Sequence, residues 1–242
     1  MKTIGALAIL LLTFTFNVRA QTVPPAGAQL PPDDCSWQPG SGQPRSVQPT
    51  GGVQPGGGGS RKALKLRTAD AGKGYTKYNR GKSITLDQWF NFTCGLDALV
   101  PKEIPGDKPI EGAETVRVTL RGYLLAAKFM RDGDHDIHVE LAASPDWNTD
   151  HVVVELSPGA EYCAARKALW DLVRKDGCKE DQCILQKPVE IVVTGYVLIG
   201  NPQKGVTDYC HAVSTRGLRK GDQQGRVRGL WRLQPVLSVR KK

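Results

Sequence analysis

Five side chains that could hold a hard cation fall within one short stretch: Asp132, Asp134, Asp136, His138 and Glu140. Carboxylate oxygens are the ligands calcium prefers, and an imidazole or a further carboxylate beside them could activate water. Asp136, His138 and Glu140 alternate with Ile137, Val139 and Leu141, so on a strand the three polar groups share one side. A second chemistry is written in positive charge. Residues 61 to 82 carry Arg61, Lys62, Lys65, Arg67, Lys73, Lys77, Arg80 and Lys82 against Asp70 alone, with Tyr75 and Tyr78 interspersed. Cations with aromatic rings suit a polyanion, because the charges neutralise phosphates or sulfates and the rings stack on bases or sugars. Arg216, Arg219, Lys220, Arg226 and Arg228 repeat the positive bias near the C-terminal end. Each pattern has a plainer reading. Asp132-Gly133-Asp134 is an ordinary tight turn, the alternating polar groups suit a solvated strand face, and the basic runs suit solubility.

The elements that must position these groups begin at residue 115. Residues 115 to 157 read as three consecutive strands: Thr115 to Phe129, Asp136 to Ala142 and His151 to Leu156. Gly122 marks a bend or bulge in the first. Ser157-Pro158 predicts a helix start, with Tyr162, Ala165, Leu169 and Val173 as its apolar stripe and Gly177 at its end. Residues 188 to 199 predict a fourth strand, bent at Gly195. A polar excursion from Asn201 to Gly229 follows. Leu230 to Val239 predicts a fifth strand, where Pro235 implies an edge or a bulge. The stretch 83 to 100 is apolar but predicts a strand or short turn at Ile84, Leu86, Trp89 and Phe90, with no helical continuation. Asn91-Phe92-Thr93 there matches a glycosylation acceptor.

The order β-β-β-α-β-β predicts a mainly β fold: a five-stranded, strongly curved barrel of the oligonucleotide/oligosaccharide-binding (OB) type over residues 113 to 240. A two-sheet sandwich is the alternative, and it leaves the helix without a role.

Residues 1 to 20 carry Lys2, an apolar run from Gly5 to Phe16 and small residues before Gln21, which predicts a secretory signal peptide. Its removal lowers the net charge of +9 by two. Residues 21 to 60 are a Pro/Gly-rich tether, and 61 to 112 form a basic N-terminal extension. The six cysteines are Cys35, Cys94, Cys163, Cys178, Cys183 and Cys210. In an exported chain, periplasmic or extracellular, they predict disulfides whose pairing sequence does not choose. No stretch predicts a membrane span, no paired CxxC predicts zinc, and no nucleophile elbow or phosphate-binding loop is present.

The element order, with Asp132-Gly133-Asp134 between the first two strands, resembles the staphylococcal-nuclease-like branch of OB folds. In that branch the second Asp helps hold calcium, a role the resemblance gives to Asp134, with Asp132 beside it. The branch also has an Asp-x-Pro-Glu segment after its third strand and an Arg shortly before. Here residues 152 to 161 read VVVELSPGAE, without the Arg and without the acids at those places. The chain is further similar to exported bacterial proteins of unassigned function, through His138-Val139-Glu140-Leu141 and Trp231-Arg232-Leu233-Gln234-Pro235-Val236. The expectation is a binding module for a polyanion, without catalytic residues or a required cofactor. A calcium-dependent phosphodiesterase and a protein-interaction or envelope protein are the alternatives.

Overall fold

The computed structural model describes residue 64 and residues 83–105, 108–130, 135–178, 182–200, 206–214 and 217–242. The signal segment, the tether, Cys35, Lys73, Tyr75, Lys77, Tyr78, Arg80, Asp132, Asp134 and Arg216 lie outside them. Five long strands carry the fold: β1 (Arg117–Phe129), β2 (Ile137–Ala142), β3 (Asp150–Leu156), β4 (Gln182–Ile199) and, last in the chain, β9 (Trp231–Lys241). Helix α1 (Leu86–Leu96) precedes them, and α2 (Cys163–Lys175) joins β3 to β4. Between β4 and β9 the described residues add four short strands: β5 (Val213–Ser214), β6 (Arg219–Lys220), β7 (Gln223–Gln224) and β8 (Arg226–Arg228).

The long strands pair in the order β2-β1-β4-β9-β3, and β2 also pairs with β3, so the ring closes. All of these pairings are antiparallel except that of β3 with β9, which meet in parallel at Val154 and Leu233. The strands' inward residues alternate as the period of two requires: Val118, Leu120 and Leu124 on β1, Ile137, Val139 and Leu141 on β2, Val152, Val154 and Leu156 on β3. Leu169, Trp170 and Val173 of α2 bury against the same core.

Several local expectations change. Residues 86 to 96 form a helix, because Thr85 and Gln88 make a reciprocal capping box that satisfies the first backbone donors. Its Leu86, Trp89, Phe90 and Leu96 join the main core. Gly122 is not the site of the β1 bulge, which falls between Leu124 and Ala126. It makes room for α1 instead: a Cβ there would come 2.6 Å from Leu86 Cδ1. Ser157 does not cap α2. It is fully buried, 3.5 Å from Gln234 Nε2, and a 3-10 turn at Ala160–Tyr162 separates it from the helix. Pro235 sits where the β4–β9 register shifts around Gly195, as a bulge requires.

Cys94 of α1 is bonded to Cys210, and Cys178 to Cys183. Cys163 is also disulfide-bonded. Among the described residues no helix is long and apolar enough to cross a membrane.

Candidate functional site

The outward face of β2 and β3 is where the sequence and the structure part company. His138 and Glu140 predict a solvated strand face, yet all six residues of β2 are buried. The cover is the excursion between β4 and β9. β8 pairs in parallel with the start of β3, at Asp150 and His151. Leu218 packs with Leu125, Ala126, Ala142 and Trp147 in a second apolar cluster on the outside of the ring.

Under this cover lies a network of charge. Glu140 is fully buried; one oxygen accepts the Leu218 backbone N–H and the other lies 2.6 Å from His151 Nδ1. The Trp147 carbonyl is 2.9 Å from His151 Nε2, so both ring nitrogens face oxygen acceptors. His138 lies between two carboxylates, with Nε2 3.5 Å from Glu140 and Nδ1 3.6 Å from Glu155. Glu155 in turn holds Arg232 Nη1 at 2.7 Å. Burial disfavours the charged His138 ring, but hydrogen bonding and attraction from Glu140 and Glu155 outweigh it and raise its pKa. Burial likewise pushes the Glu140 carboxyl up, and His138, His151 and the Leu218 N–H together bring it below its ordinary range. Gly225 completes the seal, since a Cβ there would collide with the Glu140 carboxylate and the His151 ring.

The network has little room for a substrate. His138, Glu155, Arg232, Ser214 and Trp231 line a pocket of about 30 Å³, an order of magnitude below an organic ligand's needs. A larger pocket of about 300 Å³ is lined by Ile84, Gln88, Asn91 and Phe92, none of them titratable. Three groups that could have held calcium already have partners inside the protein. His138 and Glu140 face the network, and Asp136 Oδ2 accepts from Gln234 Nε2 at 2.8 Å.

No protein-family model, curated protein or solved structure matches this chain.

Of the cationic residues singled out in the sequence, Arg219, Lys220, Arg226 and Arg228 come together on the excursion. Arg219 and Lys220 form the exposed β6–β7 hairpin with Gln224 and Gln223. Gln182 at the start of β4 donates to the Arg219 carbonyl at 3.0 Å and steadies it. Arg226 is 64% exposed and bonds to Asp150 through Nε. Arg228 differs from the other three. Its guanidinium lies 4.6 Å from the Phe90 ring centroid and 3.6 Å from Asp150, so it serves the fold.

Sequence reasoning missed the joint role of Glu140, His151, Glu155 and Arg232. One signal was available: each alternates with inward apolar residues, and together they supply both signs of charge. What the pattern lacked was the identity of the covering segment.

Proposed function

We propose that this chain is an exported OB-like module that binds a polyanion through the outer surface of the excursion between β4 and β9. The observation carrying this reading is that Arg219, Lys220 and Arg226 stand exposed on a segment laid directly over β2 and β3. Modules of the OB type engage oligonucleotides and oligosaccharides on that face and with the loop before the last strand. The ring order, the parallel closure of β3 on β9 and the helix between β3 and β4 support the OB-like assignment. In this chain the face itself is filled by protein, which leaves the cationic cover as the contact surface.

The polyanion is recognised by charge, with Gln223 and Gln224 adding hydrogen-bonding groups beside the cations. No chemistry is assigned, because the titratable groups of β2 and β3 are spent on one another and on Arg226, Arg228 and Arg232. The test is fluorescence anisotropy with a labelled single-stranded oligonucleotide and a labelled sulfated oligosaccharide across a salt series. Replacing Arg219, Lys220 and Arg226 together by Gln is expected to weaken binding. It should also flatten the slope of log affinity against log salt by about 2, since each phosphate contact on a single strand contributes roughly 0.7. An unchanged affinity and slope in the triple variant would overturn the reading.

A further inference from the structure

The bond between Cys94 and Cys210 has a chemical setting that a merely structural crosslink does not need. His211 Nδ1 lies 3.2 Å from Cys210 Sγ and 2.9 Å from Asp208 Oδ1, while its Nε2 is 3.9 Å from each of the two sulfurs. The Asp208 carboxylate places the ring proton on Nδ1, and Asp208 also accepts the His211 backbone N–H at 3.0 Å. The two sulfurs are not equivalent. Cys94 is half-buried and Cys210 is 3% exposed. Cys94 also occupies the last turn of α1, where the helix carbonyls disfavour a developing thiolate.

We propose that Cys94–Cys210 is an exchange site for an external low-molecular-weight thiol, with Cys94 the sulfur attacked and Cys210 the sulfur that leaves. The incoming thiol loses its proton to solvent and its thiolate attacks Cys94 Sγ. The new S–S bond forms as the Cys94–Cys210 bond breaks, and the electron pair passes to Cys210 Sγ. That thiolate is held by a hydrogen bond from His211 Nδ1–H and takes its proton from solvent, which received the one the incoming thiol lost. The products are a mixed disulfide at Cys94 and a thiol at Cys210. A second equivalent of the same thiol then releases Cys94 as a thiol and leaves as the symmetrical disulfide. The local structure is built to survive the opening. Asp97 accepts the Tyr209 and Cys210 backbone N–H groups at 2.8 and 3.1 Å and the Trp231 Nε1–H at 2.6 Å. Asp97, directly after α1, therefore holds the excursion at Tyr209 and Cys210, and β9 at Trp231, without the covalent bond.

Cys178–Cys183 provides an internal control, because among the described residues no histidine lies within hydrogen-bonding reach of its sulfurs. The full oxidised chain is incubated with glutathione, quenched by alkylation, digested and mapped by mass. Glutathione is expected on Cys94 and the alkyl group on Cys210. His211→Ala is expected to slow this opening by on the order of tenfold, since a poorer leaving thiol leaves more slowly, with the Cys178–Cys183 rate unchanged. Circular dichroism checks the variant's fold, and His211→Gln replaces it if folding fails. Glutathione found on Cys210, no adduct on either cysteine, or an unchanged opening rate in the folded variant would overturn the proposal.

Discussion

Glu140 on β2 and His151 on β3 meet at 2.6 Å with neither side chain exposed to solvent. The carboxylate also accepts the Leu218 N–H, so it fastens β3 and the excursion to β2 at one point. A buried charge with such partners is costly to remove from one side only, because the groups left behind lose their compensation.

Glu140→Leu is therefore expected to destabilise the protein by about 3 kcal/mol, by stranding His151 Nδ1 and the Leu218 N–H together. Glu140→Gln keeps an acceptor for Leu218 and should cost less than half as much. Urea unfolding of the two variants measures the difference. Equal losses would mean that the Leu218 bond contributes nothing.

Gly225 tests the same seal by bulk instead of by charge. Gly225→Ala drives a methyl group into the Glu140 carboxylate and the His151 ring. Both neighbours are held by further bonds, so relief must come from the excursion's backbone. Overpacking of this kind costs about 1–3 kcal/mol, which thermal melting resolves as a drop of several degrees. A melting temperature equal to wild type would show that the cover is loosely seated.

The two shifted groups set a pH window. His138 is raised above its ordinary 6.5, so the stability it contributes is complete below that pH and is lost as pH rises through the folded-state value. Glu140 is lowered below its ordinary 4.5, so its contribution is complete above that pH and is lost as pH falls through the folded-state value. Denaturation midpoints measured from pH 4 to 9 should peak between 4.5 and 6.5. His138→Gln should flatten the alkaline side and leave much of the acid side. An alkaline decline of the same size in that variant would assign it to another group.

Asp97 organises the other end of the excursion, accepting from Tyr209, Cys210 and Trp231 at once. Asp97→Ala removes all three acceptor contacts and should cost about 2 kcal/mol. Because one donor is the Trp231 indole, its fluorescence should change in the folded variant. A lost stability with an unaltered indole signal would place the effect on the Tyr209–Cys210 backbone alone.

The glycosylation pattern at Asn91 shows how a local signal changes meaning in context. Asn91 is exposed, but Thr93 is buried on α1 with its hydroxyl bonded to the Phe90 carbonyl at 3.1 Å. The three residues serve first as helix. The apolar Trp89-Phe90 run alone suits a strand as well as a helix, and it is the Thr85–Gln88 capping pair that starts the helix.

The sequence by itself determined the order of the five long strands, the helix between the third and fourth, and the residues that point inward. Alternation with a period of two states which side chains share a face, and the 3.6-residue stripe through Ala165, Leu169 and Val173 states which side of α2 is apolar. Neither periodicity names what covers a face. Glu140 is sealed by Leu218 and Gly225, which follow it by more than seventy positions, and Cys94 is joined to a cysteine 116 residues away. The tertiary structure alone decided that His138 and Glu140 are buried, that Arg228 belongs to Phe90, and that Cys210 lies beside His211. Burial is a property of the partner surface, and that surface is assembled only when the ring closes and the excursion folds back over it.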